Sequence, residues 1–177
     1  MHRIFFGMAA WASIFMVVQV ALGVLTKRPH LFGLDPGNSF LGMHLAFGVI
    51  LGIYLSVLHV MVMFHFIGSG KEMKEAAAIL GDKADLLQEL RRLKMRVMPS
   101  ATFAPMLYGA GVILGGGAHT KALGDWAWIH WGLGAAGMLL NFYAFPIEYR
   151  CLVANLELLK QVDERVKREI APGLYHE

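Results

Sequence analysis

Histidine carries most of the metal-binding capacity of this sequence. The chain has eight histidines and a single cysteine, Cys151. One cysteine allows neither an intrachain disulfide nor the CxxCH motif that attaches haem c. Imidazole binds zinc, copper and haem iron. Any metal or haem chemistry is therefore expected to depend on histidine, and the depth of each histidine in the fold decides which of them can act together.

His44 and His130 lie near the start of two long apolar stretches. An ionisable side chain inside a membrane span is costly and usually faces the bundle interior or a cofactor. Both helices are predicted to run inward from the outer face, and each histidine lies about one turn inside its helix. The two imidazoles are thus expected at equal depth on different helices, where they can bind one haem b iron from opposite sides.

Glycines follow each of these histidines along the helix. Gly48 and Gly52 follow the first histidine, and Gly134 and Gly137 follow the second. Residues separated by one or two turns share a helix face, so these glycines would leave room for a porphyrin ring beside the ligands. The alternative is that the glycines form packing seams of the GxxxG type and that the histidines cap helix ends at the interface.

A third histidine, His59, follows His44 on the same helix. It lies about 22 Å deeper and on nearly the same face. Paired histidines of this kind resemble the ligands of the cytochrome b and cytochrome b561 families, whose stacked haems lie on opposite sides of the membrane. The chain departs from that pattern because residues 143–145, at the same depth on the fourth span, include no histidine. The alternative for His59 is a core histidine hydrogen-bonded to Ser56 or a carbonyl.

His30 and His119 occupy two short loops that are predicted on the outer side of the membrane. They could form a second outer site or, together with His44 and His130, complete a metal site of four imidazoles, a ligand set that suits divalent copper or zinc. The alternative is that both loop histidines are ordinary surface residues. No catalytic residue is assigned, because the sequence has no HExxH, no GxSxG and no phosphate-binding loop.

Four apolar blocks supply the helices that must position these histidines. The chain is 56% hydrophobic and only 16% charged, which lies outside the usual range of soluble domains. A helix rises about 1.5 Å per residue and the hydrocarbon core is about 30 Å thick, so each block can cross a membrane once. The sequence therefore predicts an all-α integral membrane four-helix bundle over residues 1–150. The predicted spans are 4–25, 40–66, 101–117 and 126–145.

Lysine and arginine are distributed unequally between the two sides of this bundle. Both chain ends and the central segment 67–99 would share one side, with thirteen basic residues against three on the other. The positive-inside rule then predicts that both termini are cytoplasmic, in a bacterial inner membrane. The three basic residues of the outer side are Lys27, Arg28 and Lys121. This asymmetry accounts for the pI of about 9.1 without a nucleic-acid partner.

Two segments outside the spans carry apolar stripes at helical spacing. In the central segment the stripe predicts a helix that lies on the membrane surface or extends a span inward. The segment 151–177 is predicted to be a cytoplasmic amphipathic tail that ends near Pro172 and Gly173. This tail would dock on a partner or on the inner leaflet, or it would be a solvated helix that only anchors the topology.

The two halves of the chain resemble each other weakly. In the first half Gly23 leads through a loop containing a histidine to His44, and in the second half Gly111 leads through such a loop to His130. A parallel repeat of this kind predicts a pseudo-twofold axis along the membrane normal. The similarity is short, and chance is the alternative.

Over residues 1–150 the chain resembles small four-helix b-type cytochromes of respiratory membranes. The resemblance implies a haem b that passes electrons between a quinol in the bilayer and a redox partner, as one subunit of a larger oxidoreductase complex. It rests on His44 and His130, with His59, Gly48 and Gly134 as further cofactor contacts. Two alternatives are a non-haem accessory subunit of a membrane complex and a copper- or zinc-binding membrane protein that uses the outer histidines.

Overall fold

Over the residues that it describes, the computed structural model consists of four α-helices that pack side by side. It describes residues 1–28, 39–81 and 84–170. The helices are α1 (His2–Lys27), α2 (Ser39–Leu80), α3 (Ala84–His119) and α4 (Trp128–Ile170), with a 3-10 turn at Gly124–Ala127 before α4. None of the described residues lies in a β-strand. The all-α prediction is therefore confirmed.

Successive helices run in opposite directions. At one end of the bundle Phe5 of α1 packs against Phe145 of α4, with ring centroids 6.4 Å apart. At the other end Gly23 of α1 lies next to Trp131 of α4. Helices α1 and α3 thus run one way, and α2 and α4 the other. The end with Gly23 and Trp131 contains the cavity described below, and we call it the cavity end. The end with Phe5 and Phe145 carries the charged extensions of α2, α3 and α4, and we call it the charged end.

In the described part of the chain, three helices are long and apolar enough to cross a membrane, namely α1, α2 from Phe40 and α3 from Asp85. Helix α4 is longer, with 43 residues, but it is not among these three, and its first half includes His130 and Asn141. Large apolar side chains such as Ile53 are exposed on the outside of the bundle. Such a surface suits contact with hydrocarbon chains, and the prediction of a membrane four-helix bundle is confirmed.

Helices α2, α3 and α4 extend well past the predicted spans at the charged end. Helix α2 has 42 residues and α4 has 43, so each is about 60 Å long, twice the thickness of the hydrocarbon core. The central segment therefore extends two spans inward and does not lie flat on the surface. Its stripe residues Leu86, Leu90 and Val97 are buried in one cluster with Val162 of α4.

The segment after residue 150 continues α4 without a break as far as Ile170. Leu152 and Val162, which belong to its apolar stripe, are buried within the bundle. The stripe packs against the chain's own core because the extended part of α3 presents a matching apolar face. The predicted end of this helix at Pro172 and Gly173 lies outside the described residues.

Candidate functional site

All four helices surround a cavity of about 460 Å³ at the cavity end. A cavity of this size lies in the range that takes cofactors and drug-sized ligands. Its walls are mostly apolar, and each helix contributes small or polar residues. These are Gln19 and Gly23 from α1, His44 and Gly48 from α2, Tyr108 and Gly115 from α3, and His130 and Gly134 from α4.

His44 and His130 lie side by side on this cavity. Their ring centroids are 6.2 Å apart and the ring planes are inclined at 76°. Both residues are only partly buried, because the cavity keeps one side of each ring open. The structure thus brings together the two histidines on which the sequence-based prediction depends, from helices that are remote in the chain.

A backbone carbonyl determines which nitrogen of His130 is open to a ligand. Nδ1 of His130 lies 2.8 Å from the carbonyl oxygen of Gly111. A carbonyl only accepts hydrogen bonds, so Nδ1 must donate, and the neutral ring then keeps its lone pair on Nε2. Histidines that bind metals commonly donate their other N–H to a carbonyl in this way.

Three buried polar atoms around the cavity have no hydrogen-bond partner in the described part of the chain. They are Oε1 of Gln19, Nδ1 of His44 and the hydroxyl oxygen of Tyr108, and we call them the open polar atoms. The same Gln19 is held in place through Nε2, which donates to the backbone carbonyl of His44 at 3.0 Å. Buried polar atoms are nearly always hydrogen-bonded, so three exceptions around one cavity point to a ligand or to water.

Glycines of the neighbouring helices support the two histidine rings. A Cβ atom on Gly23 would lie 3.0 Å from Cε1 of His44, and a Cβ on Gly115 would lie 2.8 Å from Cε1 of His130. A larger residue at either position would push the ring away. Each helical hairpin therefore supports its own histidine with its own glycine, although the second glycine is Gly115 and not Gly111, which the internal repeat pairs with Gly23.

The glycines that follow the histidines have different surroundings. Gly48 and Gly134 both line the cavity, and a Cβ on Gly134 would meet no atom within 4 Å. A Cβ on Gly137 would lie 2.8 Å from the backbone of Tyr108. Gly134 thus leaves space beside the cavity, as expected for a ligand contact, whereas Gly137 lets α3 and α4 approach closely, as expected for a packing seam.

The loop histidines add little to this pair. His119 ends α3 and lines the cavity, whereas His30 lies outside the described residues. Across residues 1–28, 39–81 and 84–170, no group of three or more His, Cys, Asp or Glu is placed to hold a metal ion. The described candidate ligands for a metal are therefore His44 and His130.

His59 lies in a different environment, between α2 and α4. Its Nδ1 lies 2.8 Å from Oε1 of Glu148 and its Nε2 lies 2.8 Å from Oδ1 of Asn141. The ring of Phe145 stacks on it at 5.8 Å. The histidine is fully buried and both ring nitrogens are hydrogen-bonded. Ser56 is not its partner, since that hydroxyl donates to the carbonyl of Gly52.

Sequence reasoning missed these partners of His59 on α4. Asn141, Glu148 and Asn155 are spaced seven residues apart and are all fully buried, so they form one polar stripe on α4. Glu148 is also the only acidic residue between Asp125 and Glu157. That isolated acid, with an asparagine two turns away on either side, is the signal that would have identified the network.

Comparison of the chain with known protein families, with characterised proteins and with solved structures gives no match. The functional assignment therefore depends on the residues of the cavity and on their geometry.

Proposed function

We propose that this protein is a membrane electron-transfer subunit that holds haem b between His44 and His130. The observation that carries the proposal is the pair of imidazoles facing one cavity, 6.2 Å apart at their centroids. Two imidazoles that bind one metal ion from opposite sides, at about 2 Å per bond, have centroids about 6 Å apart. Bis-histidine ligation gives a six-coordinate iron, which suits electron transfer.

The rest of the cavity also suits a porphyrin. Its mostly apolar walls match the faces of the ring, and Gly134 leaves open space beside it. Lys27 and Trp131 line the cavity, with Lys27 Nζ 4.7 Å from the ring centroid of Trp131, and Arg28 lies beside them in a second pocket that shares both residues. Two cationic side chains at that position match the two carboxylates that haem carries.

The distribution of charge supports an orientation for this subunit. By the positive-inside rule the charged end faces the cytoplasm, so the cavity lies near the opposite face of a bacterial inner membrane. Bound haem supplies one-electron redox chemistry, and the chain's own residues hold it and exclude water. Quinol in the bilayer and other subunits of a redox complex are the proposed electron partners.

Quinone binding in the same cavity is a second candidate function. It is favoured by the open polar atoms, because the Tyr108 hydroxyl can donate to a quinone carbonyl and Oε1 of Gln19 can accept from a quinol hydroxyl. A quinone in this position would need no iron.

Absorption spectra of the purified protein, oxidised and then reduced with dithionite, test the haem proposal. The wild-type protein should show a reduced haem b spectrum, and His44→Ala and His130→Ala should each abolish it. His2→Ala, at the charged end, is the matched control and should leave the spectrum intact.

Several outcomes would contradict the proposal. A full-intensity spectrum in both alanine variants would show that the iron ligands lie elsewhere. A colourless protein that yields quinone on extraction would favour the second candidate. Copper or zinc without iron would favour a metal-binding protein, and a colourless protein with neither quinone nor metal would favour an accessory subunit.

A further inference from the structure

Asn141 determines where His59 carries its hydrogen. The side-chain nitrogen of Asn141 donates to the carbonyl oxygens of Gly137, at 2.7 Å, and Ala104, at 3.2 Å. Both partners only accept, so the amide can have one orientation, with Oδ1 towards Nε2 of His59. An amide oxygen also only accepts. Nε2 of His59 therefore carries a hydrogen.

A single proton must lie between His59 and Glu148. Nδ1 and Oε1 are 2.8 Å apart, and two lone pairs would repel at that distance. With the proton on nitrogen the pair is an imidazolium and a carboxylate, and with the proton on oxygen it is an imidazole and a carboxylic acid. Both forms have the same atoms and no net charge, which is the state that a fully buried pair favours.

Two further buried oxygen atoms belong to Glu148 itself and to Asn155, which lies nearer the charged end. Oε2 of Glu148 and Oδ1 of Asn155 are buried, and neither has a hydrogen-bond partner among the residues that the structure describes. The two residues are seven apart on α4, about 10 Å along the helix. Buried acceptors of this kind require donors, and buried water commonly supplies them in folded proteins. Asn155 also contacts Nε2 of His65 at 3.2 Å, and His65 is only partly buried.

We propose that the His59–Glu148 pair is a proton-loading site that exchanges with the charged end alone, past Asn155 and His65. A hydronium ion from the aqueous side gives its proton to Oε2 of Glu148 and leaves as water while the shared proton stays on Nδ1 of His59, so the net charge of the pair rises from zero to plus one. Release to the same side restores the neutral pair. Exchange stops at Asn141, because both of its amide hydrogens are bonded to backbone carbonyls.

Ionisable groups from all four helices surround the exchange path, so any pH response has to be assigned by substitution. They are the N-terminal ammonium and His2 from α1, His65 and Glu72 from α2, Arg96 from α3, and Cys151 from α4. None of them forms a direct hydrogen bond with Glu148 within the described ranges.

Infrared spectroscopy of the purified protein in lipid nanodiscs tests the loading site directly. The wild type should show the stretching band of a protonated buried carboxyl, with an amplitude that rises as the pH falls and a frequency that shifts after transfer to D₂O. Glu148→Gln should remove this band. Glu157→Gln, an exposed acid on the same helix, is the matched control and should retain it.

The route is tested by the rate of deuterium exchange at that band. Asn155→Leu should slow the exchange at least tenfold while the band remains, because an apolar side chain removes the acceptor from the path. Val153→Leu, at an exposed position of the same helix turn, should leave the rate unchanged.

The proposal fails if the wild-type band keeps one amplitude across the pH range in which the protein stays folded, or if it does not shift in D₂O. Either result would make the pair a static structural contact, and neither requires a variant to fold. Exchange that Asn155→Leu leaves unchanged would exclude the route. Because the band is measured on the carboxyl itself, these results are independent of whether the cavity binds haem.

Discussion

His44 and His59 lie on the same helix but have opposite surroundings. The ring of His44 faces the cavity, where Nδ1 is one of the open polar atoms. The ring of His59 is enclosed, and Glu148 and Asn141 occupy its two nitrogens. The difference comes from α4, which presents glycine and a second histidine at the cavity end and polar side chains nearer the charged end.

This contrast separates two uses of a histidine inside a membrane bundle. A ring that is open on one side, such as those of His44 and His130, keeps a nitrogen for a ligand. A ring whose nitrogens are both hydrogen-bonded, such as that of His59, contributes to folding, but it has no lone pair for iron while those bonds persist. Ligand binding should therefore depend on the cavity end, and stability on the network of His59.

The largest expected difference is between His59→Ala and His44→Ala. Removing His59 leaves Glu148 buried without its partner, which should lower the free energy of unfolding by about 3–5 kcal/mol. His44→Ala removes a ring whose Nδ1 is one of the open polar atoms, so the ligand-free protein should lose much less. Unfolding of the ligand-free protein in denaturing detergent measures both. Equal losses would remove the distinction between the two ends.

Gly137→Ala tests the close approach of α3 and α4, at a position on α4 between His130 of the cavity and Asn141 of the His59 network. A Cβ at this position would lie 2.8 Å from backbone atoms of Tyr108, and a helix backbone can make room only by moving α3 away from α4. The free energy of unfolding should fall by about 2 kcal/mol. Gly132→Ala, on the same helix with no atom within 4 Å of the added Cβ, is the control and should be neutral or slightly stabilising.

Gly115→Ala should affect the cavity end alone. The added Cβ would lie 2.8 Å from Cε1 of His130, and moving that ring should weaken haem binding about tenfold, or about 1.4 kcal/mol. Gly116→Ala meets no atom within 4 Å and serves as the neighbouring control. Haem titration of the apoprotein measures the change. Unchanged affinity in the Gly115 variant would argue against ligation by His130.

The smallest effect is expected from Tyr108→Phe. The hydroxyl of Tyr108 is one of the open polar atoms, and removing a buried hydroxyl that lacks a partner should raise the stability of the ligand-free protein by about 1 kcal/mol. If quinone is the ligand, the same variant should bind it less tightly because a donor is lost. A lower stability in the ligand-free state would show that the hydroxyl already has a partner, such as water.

Much of the fold could be predicted from the sequence. Four apolar blocks determined four packed helices, because only a closed set of backbone hydrogen bonds is stable in hydrocarbon. Helical geometry brought His44 and His130 to the same depth, since depth depends only on the number of residues from the helix end. Hydropathy could not predict how far the helices extend past the membrane, because it measures apolar content and the extensions are helical but charged.

The surroundings of each histidine required the tertiary structure. Depth follows from residue number, but the neighbours of a side chain depend on how each helix is rotated and on how closely the helices approach. The sequence therefore could not show that Gly23 and Gly115 support the rings of His44 and His130, or that His59 meets Glu148. Those contacts join residues from separate helices, and only the packing of the whole bundle brings them together.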